Sequence, residues 1–313
     1  MSQNVERQKT GGYYIMKNVI SCDQFTKENL KELFDLADVV RANPEKYMNT
    51  LNGKVVTTLF FEPSTRTRLS FETAVVRLGG RLVSTENGKT NSSSTKGETL
   101  EDTIKVVTGY TDAIIMRHSF NDAAERAAKV ATVPVINAGS GKGEHPTQSL
   151  LDAYTIRREK GRLDNLKIAL LGDLINGRTI HSLIKLFSQY ENIEFYALSK
   201  ENLCLPEKYV KIIEDSGNKY FKCYSFSELP KDVDIMYHTR IQAERCDEDL
   251  GKEEFVINKE ILDQFSENTL VLHPLPRVDE ISADIDDDKR AKYFEQAHNG
   301  MWVRMALLLK VFE

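Results

Sequence analysis

The segment KVVTTLFFEPSTRTRLSFETAVVRL, Lys54–Leu78, decides the fold of this chain. Its first part, 54–61, is rich in β-branched and aromatic residues and predicts a buried strand. Its last part spaces apolar residues three and four apart, which predicts a helix with one apolar face. Pro63 stands just before the first helical turn, with Ser64 and Thr65 as candidate caps. The segment therefore predicts a strand that leads directly into a helix.

The junction between this strand and this helix concentrates groups that bind anions. Three hydroxyls and two arginines lie within the five residues STRTR, 64–68. A helix N-terminus presents unpaired N–H groups and the positive end of the helix dipole, and hydroxyl and guanidinium groups are further donors to phosphate. The stretch predicts a phosphate-binding site. The alternative is that the hydroxyls only cap the helix and that the arginines are solvated.

Composition and charge limit the function further. The 313 residues suit two domains of ordinary size, and 41% hydrophobic with 28% charged residues is typical of a globular protein. The net charge of −5 argues against a nucleic-acid partner, so attraction of an anion has to be local. We expect no secretory signal and no membrane span, since no apolar run is long enough. Four scattered cysteines without a CxxC pair are typical of a reducing cytoplasm.

Short apolar strand candidates alternate with helical patterns almost to the end of the chain. This alternation predicts an α/β fold with two doubly wound domains and parallel sheets, joined by a linking helix at about 146–160. We expect a first domain at 1–150, a second at 151–289, and a C-terminal helix at about 290–313 that returns to the first domain. The strand candidates are 54–61, 81–85, 112–116, 133–137, 167–172, 193–198, 232–237 and 269–272.

In such folds ligands bind where strands end and helices begin, and three more junctions carry unusual residues. Arg117 and His118 follow a buried strand, HPTQ opens the linking helix at 145–148, and GDLINGRT at 172–179 joins a strand to a helix. The last resembles a nucleotide-binding turn, but it lacks the GxGxxG pattern. The sequence also lacks histidine spacings typical of zinc and the GxSxG turn of serine hydrolases.

Five motifs in order carry a resemblance to a known family. They are STRTR at 64–68, HPTQ at 145–148, GDLINGRT at 172–179, YHTRIQAER at 237–245 and VLHPLPRVDEI at 271–281. Together they resemble the catalytic chains of aspartate carbamoyltransferases, from about residue 18 to the C-terminus. The related ornithine carbamoyltransferases have HCLP in place of HPLP and an SMG-type motif in place of TRIQ. The resemblance therefore favours aspartate as the acceptor.

The resemblance implies a reaction of carbamoyl phosphate with L-aspartate, an early step toward pyrimidines. Phosphate would be held by Ser64, Thr65, Arg66 and Thr67, and Arg66 would also stabilise the leaving group. Thr67, Arg117 and His145 would converge on the carbamoyl oxygen. Gln148 and the backbone carbonyls of Leu275 and Pro276 would accept from the carbamoyl NH₂, with a cis bond between Leu275 and Pro276. No metal, cofactor or covalent nucleophile is required.

The second substrate brings two carboxylates, and the resemblance assigns Arg178, Arg240, Gln242 and Lys96 to them. It also implies a homotrimer in which a loop with Ser92 and Lys96 reaches into a neighbouring subunit's site. One position departs from the family member compared, because Thr95 stands where a second lysine is found. An interdomain ion-pair set of Glu62, Arg178 and Arg245 is a further implication.

Two rival functions are also compatible with the sequence. One is a non-catalytic subunit that keeps the fold but acts as a scaffold, and the other is a carbamoyltransferase for a different amine. The complete set of site residues argues against the first, and the HPLP and TRIQ segments argue against the second. Whether regulatory chains bind, and what residues 1–16 do, is left open by the sequence.

Overall fold

A computed structural model describes residues 9–10, 13–14, 17–86, 97–241 and 255–313 of the chain. Within these residues the chain forms two compact units. Unit 1 comprises Met1–Thr147 and Gly300–Glu313, and unit 2 comprises Gln148–Asn299.

The strands and helices of the described residues follow the alternation that the sequence predicts. The strands are β1 Lys9–Thr10, β2 Tyr13–Tyr14, β3 Val55–Phe60, β4 Arg81–Glu86, β5 Ala113–His118, β6 Val135–Ser140, β7 Lys167–Gly172, β8 Glu194–Leu198, β9 Lys219–Cys223, β10 Ile235–Thr239 and β11 Leu270–Leu272. The α-helices are α1 Lys27–Ala42, α2 Thr65–Arg77, α3 Leu100–Val107, α4 Ala123–Val130, α5 Pro146–Lys160, α6 Arg178–Phe187, α7 Glu207–Asp215, α8 Lys259–Leu262 and α9 Tyr293–Phe312. Short 3₁₀ turns lie at Cys22–Gln24, Pro44–Tyr47, Glu201–Leu203, Phe226–Glu228 and Ala283–Ile285.

Unit 1 contains a four-stranded parallel sheet in the order β4-β3-β5-β6. The chain leaves β3 toward one side for β4 and then returns to the other side for β5, so the order reverses between β3 and β5. Phe60 at the end of β3 is paired with Arg117 near the end of β5. The residues that follow β3 and β5 are therefore neighbours at the carboxyl edge of this sheet, where ligands of such folds bind.

Unit 2 repeats this arrangement with five parallel strands in the order β11-β10-β7-β8-β9. Here the order reverses between β7 and β10, and Thr239 of β10 is paired with Gly172 of β7. A Cβ on Gly172 would lie 2.0 Å from the Thr239 carbonyl oxygen, and its φ is +93°. Only glycine satisfies both conditions, so this residue allows the two strand ends to close together.

Each unit has its own apolar core. In unit 1, α3 and α4 cover one sheet face with residues such as Ile104 and Ala124, which pack near Ile114 and Met116 of β5. In unit 2, Leu262 and Phe265 pack with Met236 of β10 and Val271 of β11, among other residues. Strands that are buried on both faces explain why the sequence shows continuous apolar runs rather than alternation.

The structure confirms the predicted fold class, two doubly wound domains with parallel sheets. Helix α5 begins at the end of unit 1 and continues into unit 2, and the chain from Gly300 onward clusters with unit 1. The prediction missed β9, whose Lys219 and Phe221 are exposed at the sheet edge. Edge strands often carry such charged residues, which hide the apolar pattern of a strand. No helix of the described ranges is both long and apolar enough to cross a membrane.

Candidate active site

The first half of the site lies at the carboxyl edge of the unit 1 sheet. Ser64 occupies the N-cap position of α2, but its side chain makes no capping hydrogen bond. It instead accepts a hydrogen bond of 3.2 Å from Nη1 of Arg117, at the end of β5. Ser64 therefore occupies the predicted cap position, but its side chain does not cap the helix. Its hydroxyl lies beside a guanidinium group at the switch point, the place between β3 and β5 where the strand order of the sheet reverses.

The next three residues of the motif differ in burial. Thr65 and Arg66 are exposed in the first turn of α2, whereas Thr67 is buried. Oγ1 of Thr67 lies 3.4 Å from Nε2 of buried His145. The structure thus brings Ser64 together with Arg117, and Thr67 together with His145, as the predicted anion site requires.

Arg68 has a different role from the one that the motif suggested. It lies 3.2 Å from a carboxylate oxygen of Glu86 and 4.0 Å from one of Glu72. The first carboxylate is on the neighbouring strand β4 and the second is one turn along α2. Of the two arginines in STRTR, Arg66 remains in the predicted anion site and Arg68 joins α2 to the sheet edge.

Glu62 contacts Arg117, so it is not simply a solvated surface charge. Its Oε2 lies 3.6 Å from Nε of Arg117, and both side chains are largely buried. This contact leaves the Nη1 side of the guanidinium group directed to Ser64. The predicted ion-pair set of Glu62 with Arg178 and Arg245 stays a prediction, because Arg245 lies outside the described residues.

The second half of the site lies at the carboxyl edge of the unit 2 sheet. Buried Arg178 is the first residue of α6, and Arg240 directly follows β10. The turn between β7 and α6 is closed by Asp173, whose Oδ1 accepts a hydrogen bond of 2.9 Å from the Asn176 backbone N–H. A Cβ on Gly177 would lie 2.5 Å from the Asp173 carbonyl oxygen. The glycines of GDLINGRT therefore serve this tight turn, and their spacing needs no nucleotide to explain it.

The HPLP segment follows β11 at the same sheet. The Leu275–Pro276 peptide bond is cis, as expected, and Leu275 has a φ of +56°. The Leu275 backbone N–H donates to Nδ1 of His273 at 2.8 Å. Nε2 of His273 in turn lies 2.7 Å from Oε1 of Glu280, deep in the unit. The two predicted carbonyl acceptors thus belong to a segment whose backbone is fixed by the side chains of His273 and Glu280.

Glu280 remains ionised in this buried position. Burial opposes its ionisation, but the contact with His273 and the backbone N–H groups of Glu280 itself and Val278 outweigh burial. Together they lower the pKa of Glu280 to about 2. Because Nδ1 of His273 accepts from Leu275, the proton of the imidazole lies on Nε2, facing this carboxylate.

Gln148 is buried on the first turns of α5, where its Nε2 donates to Oδ1 of Asp152 at 2.8 Å. Sequence reasoning missed Asp152 and its other partners, Tyr237 and Gln296. A signal was present: Gln148, Asp152 and Thr155 are polar residues spaced four and three apart on a helix that has no exposed face there. Such spacing places them in one stripe.

Five predicted positions cannot be placed, because they lie outside the described residues: Ser92, Thr95, Lys96, Gln242 and Arg245. Within the part of the chain that the structure describes, no group of three or more His, Cys, Asp or Glu residues is arranged to hold a metal ion.

Comparison with known proteins identifies the family. The model for the domain described as "Aspartate/ornithine carbamoyltransferase, carbamoyl-P binding domain" matches residues 17–158, and that for the "Asp/Orn binding domain" matches residues 164–311. This chain belongs to the aspartate/ornithine carbamoyltransferase family. The aspartate carbamoyltransferase catalytic subunit of Clostridium novyi is 48% identical over 94% of this chain and 97% of the relative.

Solved structures of carbamoyltransferases agree with this assignment. The catalytic subunit of the Methanocaldococcus jannaschii aspartate transcarbamoylase superposes with a TM-score of 0.87 at 44% identity, covering 95% of this chain and 98% of the other. The Trypanosoma cruzi aspartate transcarbamoylase in complex with carbamoyl phosphate and aspartate gives 0.88 at 38% identity, covering 94% and 96%. The family resemblance of the five motifs is thereby confirmed over nearly the whole chain.

Proposed function

We propose that this chain is an aspartate carbamoyltransferase. It transfers the carbamoyl group of carbamoyl phosphate to the amine of L-aspartate, giving N-carbamoyl-L-aspartate and phosphate, an early step of de novo pyrimidine biosynthesis. The observation that carries the proposal is the pair of sheet switch points, each lined with the arginines that an anionic substrate needs. Arg66 and Arg117 lie at the first, and Arg178 and Arg240 at the second.

The phosphate of carbamoyl phosphate is bound at the N-terminus of α2. The backbone N–H groups of the first turn and the side chains of Ser64, Thr65, Arg66 and Thr67 donate to its oxygens. Arg66 is exposed and extends from this turn, so it can follow the charge that collects on the departing phosphate.

The carbamoyl group is held and polarised beside the phosphate. Thr67, Arg117 and His145 donate to its carbonyl oxygen, where negative charge develops when the amine attacks the carbon. The contact of 3.4 Å between Thr67 and His145 supports this assignment, because both groups then reach a common point. Gln148 and the carbonyls of Leu275 and Pro276 accept from the NH₂ group.

Aspartate is bound through its two carboxylates by Arg178, Arg240, Gln242 and Lys96. Each charge-assisted hydrogen bond contributes about 1.5–3 kcal/mol, and the same arginines repel the cationic side chain of ornithine. The amine then forms a C–N bond, the bond from the carbamoyl carbon to the phosphate oxygen breaks, and the departing phosphate takes the proton that the amine loses. Positioning of two anions and stabilisation of charge supply the rate enhancement.

A homotrimer with shared active sites completes the proposal. Ser92 and Lys96 come from a neighbouring subunit in this arrangement. Unit 1 exposes apolar side chains on and beside α2, which supports an interface there: Leu69 (49% exposed), Val76 (61%) and Val83 (53%). Cytoplasmic localisation is proposed from the scattered cysteines, although several relatives are named as chloroplastic.

The deciding experiment is a carbamoylation assay on the purified chain with carbamoyl phosphate and either L-aspartate or L-ornithine, together with its mass in solution. We expect N-carbamoyl-L-aspartate from a species of three chains. Product with ornithine alone would contradict the role of Arg178 and Arg240. No product from a well-folded trimer would favour the scaffold function.

A further inference from the structure

Asp152 is a fully buried carboxylate that is satisfied by three side chains of unit 2. Its Oδ1 accepts from Nε2 of Gln148 at 2.8 Å and from Nε2 of Gln296 at 2.6 Å. Its Oδ2 accepts from the Tyr237 hydroxyl at 2.8 Å. Burial and the charge of Asp152 raise the pKa of Tyr237, which keeps that hydroxyl a donor. Three donors offset the cost of burying the charge.

This arrangement fixes the orientation of the Gln148 amide. A carboxylate can only accept hydrogen bonds, so Gln148 has to present its NH₂ to Asp152. Its Oε1 lies on the opposite side of the amide group, and no donor of the described residues reaches it. An amide oxygen on that side of the group can accept a hydrogen bond from an N–H group of a ligand.

The same network continues to the HPLP segment. Oε1 of Gln296 accepts from the His273 backbone N–H at 2.8 Å, so both ends of this amide are fixed. Nδ1 of His273 then accepts from the Leu275 backbone N–H at 2.8 Å. Residues with a side chain rarely adopt the φ of +56° that Leu275 has, and this hydrogen bond helps to hold it. One chain of hydrogen bonds therefore joins Gln148 to Leu275 through Asp152.

We propose that Asp152 is a positioning residue that makes the site selective for an acyl phosphate with an NH₂ group. It holds the Gln148 carbonyl oxygen and, through Gln296 and His273, the Leu275 carbonyl as a preformed pair of acceptors. Carbamoyl phosphate fills both, whereas acetyl phosphate offers a methyl group that leaves them unsatisfied. This inference rests on the proposed function for the roles of Gln148 and Leu275, and it adds the residue that sets them.

The test measures dissociation constants of carbamoyl phosphate and acetyl phosphate by calorimetry for the wild type and Asp152→Leu. Leucine has a similar size and cannot orient either glutamine. We expect the wild type to prefer carbamoyl phosphate and Asp152→Leu to lose about tenfold of that preference, since about one neutral hydrogen bond is lost. Affinity for acetyl phosphate should change less than twofold, because its phosphate contacts are made by unit 1.

Two further variants separate positioning from general damage. Asp152→Asn should keep most of the preference, because its Oδ1 can accept from both glutamines while its Nδ2 donates to the Tyr237 oxygen. Thr155→Val removes a hydroxyl one turn along α5 that accepts from Nδ2 of Asn299 at 3.0 Å. It should lower stability without changing the preference.

If Asp152→Leu fails to fold, Gln296→Met takes its place, with an expected loss of about threefold. An unchanged preference, or equal weakening of both ligands, in a folded variant would overturn the inference. Because these are binding measurements, they are independent of turnover. A wild type that binds carbamoyl phosphate but forms no carbamoyl-aspartate would refute the proposed function and leave the role of Asp152 standing.

Discussion

Unit 1 and unit 2 place their site residues by the same topological rule, but they hold them differently. In unit 1, Thr65 and Arg66 are exposed on the first turn of α2, and Thr67 meets His145 at the long distance of 3.4 Å. In unit 2, Gln148 and Leu275 belong to a buried network with distances of 2.6–2.8 Å. Unit 1 presents part of its donor set on the exposed first turn of a helix, whereas unit 2 fixes its acceptors within a buried network.

This difference has a consequence for mutations. A donor that is exposed at a helix terminus contributes little to folding, so its removal should change turnover and leave stability alone. A group in a buried network stabilises the fold and the site together, so its removal should change both.

Arg66→Ala should lower kcat about a thousandfold with little change in melting temperature. The guanidinium group stabilises charge that develops on the leaving phosphate, and removal of one such donor typically costs 10²–10³ in kcat. Steady-state kinetics and thermal unfolding of the same preparation check it.

Arg68→Ala is the matched control, because it removes the same side chain two residues along α2. Its ion pairs with Glu86 and Glu72 are partly exposed, so we expect a stability loss of at most about 1 kcal/mol and near-normal kcat. If the two variants had similar kcat, the functional separation of these arginines would be refuted.

Gly172→Ala should destabilise unit 2 by about 3 kcal/mol, because a Cβ would lie 2.0 Å from the Thr239 carbonyl oxygen at a φ of +93°. Gly217→Ala is the control, since it also has a positive φ, +77°, but nothing within 4 Å. It should cost only about 1 kcal/mol. Urea unfolding measures both, and equal losses would show that the close approach of β7 and β10 is not what requires glycine.

The contrast between the units also explains how much the sequence could predict. The strand-to-helix junctions were predictable, because buried parallel strands and the helices that follow them leave strong local patterns. Arg68 was not assigned correctly, since its partner Glu86 is distant in sequence and only the pairing of β3 with β4 brings it near. For the same reason the hydrogen bond between Ser64 and Arg117 could not be predicted.

The hydrogen-bond network around Asp152 in unit 2 was harder to predict from the sequence. Gln148 and Asp152 are four residues apart and could have been paired, but Tyr237 and Gln296 come from β10 and α9. A buried polar residue is recognisable in sequence only when its burial is known, and α5 offers no apolar stripe that would reveal which face is inside. Tertiary contacts of high sequence separation therefore remained hidden.

Arg240→Ala should raise KM for aspartate about tenfold to hundredfold and leave KM for carbamoyl phosphate unchanged. It removes one charge-assisted pair with a substrate carboxylate, which is worth about 1.5–3 kcal/mol. Arg162→Ala is the control in the same unit, because Arg162 forms an exposed ion pair of 2.8 Å with Asp234. Loss of carbamoyl phosphate use in Arg240→Ala would contradict the division of roles between the units.

Glu280→Gln should make the stability of the protein less dependent on pH. The folded pKa of about 2 lies below the ordinary value of 4.5, so the contribution of the ionised carboxylate is complete above 4.5 and is lost as the pH falls toward 2. Between pH 5 and pH 3 the wild type should therefore lose about 2 kcal/mol more than the variant. Urea unfolding at a series of pH values measures the difference.

Glu101 is the counterpart of Glu280 in unit 1, because its pKa is also lowered to about 2. The cause is different: partly exposed hydrogen bonds of 2.6 and 2.9 Å from Arg126 stabilise its charge, rather than a buried network. Salt screens exposed pairs strongly and buried ones weakly. In 1 M NaCl the pH-dependent difference between wild type and Glu101→Gln should shrink, while that of Glu280→Gln persists. If 1 M NaCl removed both pH-dependent differences, the carboxylate of Glu280 would be no better shielded from salt than that of Glu101.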